Sequence, residues 1–146
     1  MTLCRRFAVL LLLPVAAALA VPPAPATSTD EFERGRQAFE SSRYAEAVTA
    51  LEAAVRARPD DAEAHHWLGK AYGRAAEQAP WYQSFSLARK AGRAMERAVE
   101  IDPRNTAALK SLLLFYEQAP AVVGGGGRKA AQLRERMRAQ GLTLDP

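Results

Sequence analysis

A run of four glycines followed by two cations could bind an anion. Gly124, Gly125, Gly126 and Gly127 precede Arg128 and Lys129 directly. Glycine-rich turns at a helix start can present backbone N–H groups to phosphate. This run lacks a preceding strand, the G-x-x-x-x-G-K-[ST] spacing and a hydroxyl after the lysine. We therefore expect a flexible loop, with anion binding by these six residues as the alternative.

Two adjacent histidines, His65 and His66, are the residues that could suggest a metal site. Neighbouring residues of a helix point about 100° apart, so these side chains cannot chelate one ion as an i, i+4 pair can. The single cysteine, Cys4, lies at the N-terminus, which leaves no disulfide framework. No nucleophile–base–acid set is apparent from the spacing. The sequence predicts no metal, no cofactor and no enzyme activity.

Three aromatic residues, Trp81, Tyr82 and Phe85, lie close together between two helical patterns. We expect them to fold back and cover apolar surface between helices. The alternative is a patch that anchors a partner, since Trp and Tyr are favoured at such positions.

The N-terminal segment predicts export. Residues 1–20 combine Arg5 and Arg6 with an apolar stretch and the small-x-small end Ala18-Leu19-Ala20, as a cleavable signal peptide does. The alternative is an uncleaved membrane anchor. It is disfavoured because an apolar run of about 15 residues is shorter than the roughly 20 that a spanning helix needs. Residues 21–27 are predicted to be a Pro-rich linker and residues 28–146 the folded domain.

The net charge of the chain is +4 and falls to +2 without Arg5 and Arg6. This charge is too balanced to predict nucleic-acid binding.

The rest of the chain has the apolar spacing of helices. Ser28 and Glu31 match a capping box. Apolar residues recur every three or four positions from Phe32 onward, and prolines interrupt the pattern at Pro59 and Pro103. Glu77-Gln78-Ala79-Pro80 recurs at 117–120. Helix pairs that repeat in this way predict an all-α solenoid of about three antiparallel pairs.

These residues resemble the tetratricopeptide repeat family. SRYAEAVTALEAAVRARPDD and ARKAGRAMERAVEIDPRN look like second helices of repeats, and AEAHHWLGKAY looks like a first helix. Gly69, Ala47 and Ala91 would let helices approach closely. The spacing from Pro59 to Pro103 exceeds the family period of about 34 residues, so we expect insertions in the second and third pairs. The chain also resembles bacterial exported repeat proteins of unassigned activity.

The resemblance implies a scaffold that binds a protein or peptide in the groove of the first helices. The residues that would line this groove include four cations and several aromatics: Phe32, Arg36, Phe39, His66, Lys70, Arg74 and Lys110. These cations favour a partner with an acidic segment. The periplasm is the expected location, and secretion or membrane anchoring are alternatives. Residues at the C-terminal pair are expected to stay partly uncovered, which would favour a homodimer.

Overall fold

The computed structural model describes residues 27–142, which form six α-helices and one 3-10 helix and contain no strand. The helices are α1 (Ser28–Glu40), α2 (Tyr44–Ala57), α3 (Ala62–Gln78), α4 (Trp81–Ile101), α5 (Thr106–Gln118) and α6 (Gly127–Ala139). Consecutive helices contact each other, and short connections make them antiparallel. The predicted all-α solenoid of three pairs is confirmed. The predicted signal peptide, residues 1–20, lies outside the described residues.

Side-chain caps fix the starts of the first helices in the three pairs. Thr27 Oγ1 accepts from the Asp30 N–H at 3.2 Å, and Asp30 Oδ2 accepts from the Thr27 N–H at 3.0 Å. The capping box therefore lies one residue before the predicted one. Asp61 and Asn105 cap α3 and α5 by accepting one backbone N–H each, at 3.0 Å. These side chains satisfy N–H groups that have no partner within the helix.

The middle pair accommodates its extra residues by lengthening both helices. α3 has 17 residues and α4 has 21, whereas α1, α5 and α6 have 13 each. Only Ala79 and Pro80 separate α3 from α4. Proline is compatible with a helix start because its missing N–H and fixed φ cost nothing there. The extra residues thus lie inside helices, where a loop was expected.

Two apolar clusters form the core, and α4 contributes to both. Ala91 and Ala94 belong to a cluster with α1, α2 and α3. Met95, Ala98 and Val99 belong to a cluster with α5 and α6. A Cβ at Gly69 would lie 2.6 Å from Met95 Cγ, so the predicted close approach at this glycine is confirmed.

The last pair ends in a hydrogen-bonded turn. Gly141 has φ 69°, its N–H donates to Arg138 O, and the Leu142 N–H donates to Met137 O. This is the Schellman arrangement of a helix C-terminus, in which the residue after the glycine packs back on the helix. Leu142 packs against the second core cluster. α6 also exposes polar side chains, among them Arg128, Glu135 and Arg138. The third pair nevertheless keeps two exposed apolar side chains, Leu114 at 52% and Val122 at 71%. A homodimer through this pair stays a prediction.

Within the same residues, no helix is both long enough and apolar enough to span a bilayer.

Candidate partner-binding site

The first helices of the three pairs form one face of the stack, since α1 contacts α3 and α3 contacts α5. The half-buried indole of Trp67 lies at the junction of α1 and α3. Its ring packs edge-to-face on Phe39, with centroids 5.4 Å apart and planes at 82°. Phe39 in turn packs on Tyr44, also at 5.4 Å. Three aromatic rings thus lie in a row across the start of the stack.

Two cations flank these rings. Lys70 Nζ lies 3.8 Å from the centroid of Trp67 and 5.0 Å from that of Phe39. Arg36 Cζ lies 5.8 Å from the Trp67 centroid. Cations at such distances are attracted by the ring quadrupole and hold the rings in place. Arg36, Phe39, Trp67 and Lys70 are called the Trp67 cluster below.

The cations of the Trp67 cluster keep hydrogen-bonding capacity. Arg36 approaches Glu33 at 3.8 Å and Glu40 at 4.0 Å, both beyond hydrogen-bonding distance. Its Nε is buried and has no hydrogen-bond partner among the described residues. The pKa of Lys70 is lowered, chiefly by burial of the ammonium group. The charge of Glu40 opposes this shift, and the charge of Arg74 adds to it. Because the Arg36 Nε is buried, a carbonyl or carboxylate oxygen of a partner reaches Arg36 at its terminal nitrogens, on a side chain that is 37% exposed.

Two residues predicted to line the groove are buried in the structure. Phe32 is 8% exposed and belongs to the first core cluster. His66 is 7% exposed, and its Nε2 lies 2.8 Å from Ser111 Oγ on α5. Burial and the neighbouring Lys70 lower the pKa of His66 to about 4, so its imidazole is neutral at pH 7. His66 therefore links α3 to α5 and is not accessible to a partner.

The two remaining groove candidates, Arg74 and Lys110, are exposed. Arg74 lies one turn after Lys70 on α3 and pairs with Glu77 at 2.9 Å. Lys110, on α5, forms no salt bridge within the described residues. Trp67 is not among the residues predicted to line the groove. The signal that could have placed it there is Lys70, which was predicted and lies one turn further along the same helix.

The aromatic residues at the start of α4 face solvent. Trp81 is 79% exposed, Tyr82 63% and Phe85 50%. They occupy the first two turns of the helix, and the expected coverage of apolar surface is wrong. These three residues are called the aromatic tip below.

The glycine run forms an ordered turn. The N–H groups of Gly124, Gly125 and Gly126 donate to the carbonyls of Ala121, Pro120 and Tyr116 at 3.0, 3.2 and 2.8 Å. A Cβ at Gly125 would lie 2.0 Å from Ala119 O, so only glycine fits there. Lys129 Nζ binds Glu96 at 3.1 Å. Three of the four backbone amides and one of the two cations that could bind an anion therefore already have partners within the chain.

A repeated side-chain contact joins the pairs and was missed from the sequence. The Tyr72 hydroxyl donates to Glu52, and the Tyr116 hydroxyl donates to Glu96 at 2.7 Å. The next second helix places a lysine over each ring, Lys90 at 5.3 Å and Lys129 at 5.0 Å. Burial, with the hydrogen bond to glutamate second, raises the pKa of both tyrosines. The two tyrosines are 44 residues apart, and so are the two glutamates. This equal spacing is the sequence signal that could have predicted the repeated contact.

The described part of the chain contains no group of three or more His, Cys, Asp or Glu side chains that could hold a metal ion.

Comparison with models of known protein families gives a match to part of the chain. The family model described as TPR repeat, where TPR stands for tetratricopeptide repeat, matches residues 35–75. This range covers the end of α1, all of α2 and most of α3, and so includes the Trp67 cluster. No curated protein and no solved structure matches the chain significantly.

Proposed function

We propose that this tetratricopeptide repeat protein is a non-enzymatic scaffold of the cell envelope, which binds a peptide or protein on the face of its first helices. Repeats of this family generally mediate protein–protein interactions. The observation that carries the proposal is the Trp67 cluster, in which the partly exposed cations Arg36 and Lys70 lie 5.8 and 3.8 Å from the centroid of a half-buried indole. The envelope location rests on the signal-peptide pattern of residues 1–20.

The chemistry of the Trp67 cluster defines the partner. The rings of Phe39 and Trp67 offer an apolar surface to a side chain of the partner. Arg36 and Lys70 lie over these rings and offer donors to a carboxylate. We therefore propose a segment in which an aromatic or aliphatic residue is adjacent to Asp or Glu.

Photocrosslinking tests this proposal directly. A photoreactive amino acid at Lys70 should capture a discrete partner in cells, and the same group at Arg128, an exposed residue of α6, should not. Capture of the same proteins from both positions, or of none, would reject the proposed face. In vitro, Trp67→Ala should weaken binding of the captured partner by about 2 kcal/mol or more, roughly 30-fold, as expected for a central aromatic anchor.

A matched variant separates charge from ring. Lys70→Gln removes the cation but keeps a long side chain, and it should weaken binding most when the acidic residue of the partner is present. A partner whose affinity is insensitive to both Trp67→Ala and Lys70→Gln binds elsewhere on the chain. Circular dichroism establishes that each variant keeps its helices.

A further inference from the structure

We propose that the first half of α4 docks on a bilayer that contains anionic lipid. In this arrangement the aromatic tip enters the interfacial region, and Arg89 and Arg93 contact headgroup phosphates. This surface belongs to a second helix of the stack and is separate from the protein-binding face of the first helices.

The aromatic tip has the composition of an interfacial anchor. Trp81 and Tyr82 contact each other edge-to-face at 6.1 Å, and both are more than half exposed. Their rings combine a large apolar surface with a polar edge, which favours the water–lipid boundary. Phe85 follows one turn later and adds a purely apolar ring.

The tip lies at a protruding end of the stack. α3 and α5 begin at equivalent caps, Asp61 and Asn105, but α3 has 17 residues and α5 has 13. The extra turn of α3 therefore lies at its C-terminal end, beside the tip, and adds about 6 Å. A protruding end with exposed rings can reach a flat surface, whereas a protein partner of standard size would need a broader complementary face.

The surface next to the tip is positively charged. Residues 81–93 contain three basic residues, Arg89, Lys90 and Arg93, and no acidic residue. All three are exposed, and none forms a salt bridge with a described residue. The acidic residue beside the tip, Glu77, pairs with Arg74 at 2.9 Å. Each cation near an anionic membrane surface strengthens binding roughly fivefold.

The spacing of rings and cations fits the depth of the interface. Phe85 and Arg89 are four residues apart and share one face of α4, separated by about 6 Å along the axis. The headgroup region of one leaflet is about 5–8 Å thick. Arg89 and Arg93 also line a cleft of about 250 Å³, in which Glu96 and Lys129 pair with each other at 3.1 Å. A lipid phosphate can therefore meet the two arginines while the rings lie deeper in the interfacial region.

Tryptophan fluorescence tests the docking at the tip itself. The chain contains two tryptophans, so the Trp67→Phe variant leaves Trp81 as the sole reporter. Vesicles with about 30% phosphatidylglycerol in phosphatidylcholine supply an anionic surface. They should shift Trp81 emission to shorter wavelength, and brominated acyl chains should quench it. Pure phosphatidylcholine vesicles should produce neither effect. Unchanged Trp81 emission with the anionic vesicles overturns the proposal even if the protein sediments with them through another segment.

Two charge-matched variants test the role of the cations. Arg89→Glu with Arg93→Glu should reduce partition into the anionic vesicles at least about tenfold. Arg104→Glu with Arg136→Glu makes the same change in net charge at exposed positions away from the tip, and should alter partition by no more than about twofold. Equal losses in both variants overturn the proposal, because net charge alone would explain them. Trp81 emission that shifts with protein concentration in the absence of vesicles also overturns it, since a second copy of the chain would then cover the tip.

Discussion

The Tyr116 hydroxyl donates a hydrogen bond to Glu96, a residue 20 positions earlier, at 2.7 Å. The same contact recurs 44 residues earlier between Tyr72 and Glu52. Each tyrosine thus joins the first helix of one pair to the second helix of the preceding pair. The lysines over the two rings extend this contact to a third helix.

Loss of a Tyr–Glu hydrogen bond should weaken the stack. Tyr116→Phe is expected to lower the free energy of unfolding by about 1 kcal/mol, because a partly buried glutamate loses a donor. Urea denaturation measures the change. Tyr82→Phe removes a hydroxyl from an exposed ring and should stay within about 0.5 kcal/mol of the wild type. Equal effects of the two substitutions would contradict the role assigned to Tyr116.

Two glycines of α3 should respond oppositely to alanine. A Cβ at Gly69 would lie 2.6 Å from Met95 Cγ and 3.2 Å from Ala91 O, so Gly69→Ala should destabilise the fold by about 1–3 kcal/mol. A Cβ at Gly73 would meet no atom within 4 Å. Gly73→Ala should therefore stabilise the helix by about 0.5–1 kcal/mol. Thermal unfolding of both variants measures the signs, and a stabilising Gly69→Ala would reject the close approach of α3 and α4.

Acid should destabilise the protein through His66. Its pKa falls from 6.5 to about 4 on folding, so the folded state binds fewer protons than the unfolded state between these values. The contribution of His66 to stability is complete above about pH 6.5 and is lost as the pH falls towards 4. At about 1.4 kcal/mol per pKa unit, the loss approaches 3 kcal/mol.

Substitution at the two histidines isolates this effect. Unfolding measured from pH 7 to pH 4 should show a smaller decrease in His66→Gln than in the wild type. His65→Gln keeps His66 and should keep the full decrease. The assignment fails if both variants follow the wild-type curve.

The glycine turn should tolerate substitution at one position and reject it at another. Gly125→Ala brings a Cβ to 2.0 Å from Ala119 O, and the turn must move. A Cβ at Gly127 meets no atom within 4 Å, and alanine favours the first turn of α6. We therefore expect a loss of about 1–3 kcal/mol for Gly125→Ala and none for Gly127→Ala, measured by urea denaturation.

Periodicity was sufficient to predict the helices and their pairing. The apolar spacing and the prolines at 59 and 103 are local signals, and each reports directly on one helix or one stop. The cap at Thr27 was missed by one residue because adjacent Thr27 and Ser28 are both good cap residues. The extension of α4 was missed because the residues after Pro80 were expected to be an insertion between two helices, although proline also fits the start of a helix.

Contacts between distant residues could not be predicted in the same way. The burial of His66 depends on Ser111, which lies 45 residues later on α5. The Trp67 cluster depends on α1 passing beside α3. The exposure of Trp81 depends on how far neighbouring helices extend, which no local pattern encodes. Spacing therefore predicted which residues are helical, but not which of them meet.

The position of α4 between the two apolar clusters determines how the protein should lose its structure. A helix that supplies Ala91 and Ala94 to one cluster and Met95 and Val99 to the other cannot detach from either alone. Both halves should therefore melt in a single transition, with equal calorimetric and van't Hoff enthalpies, rather than one pair at a time.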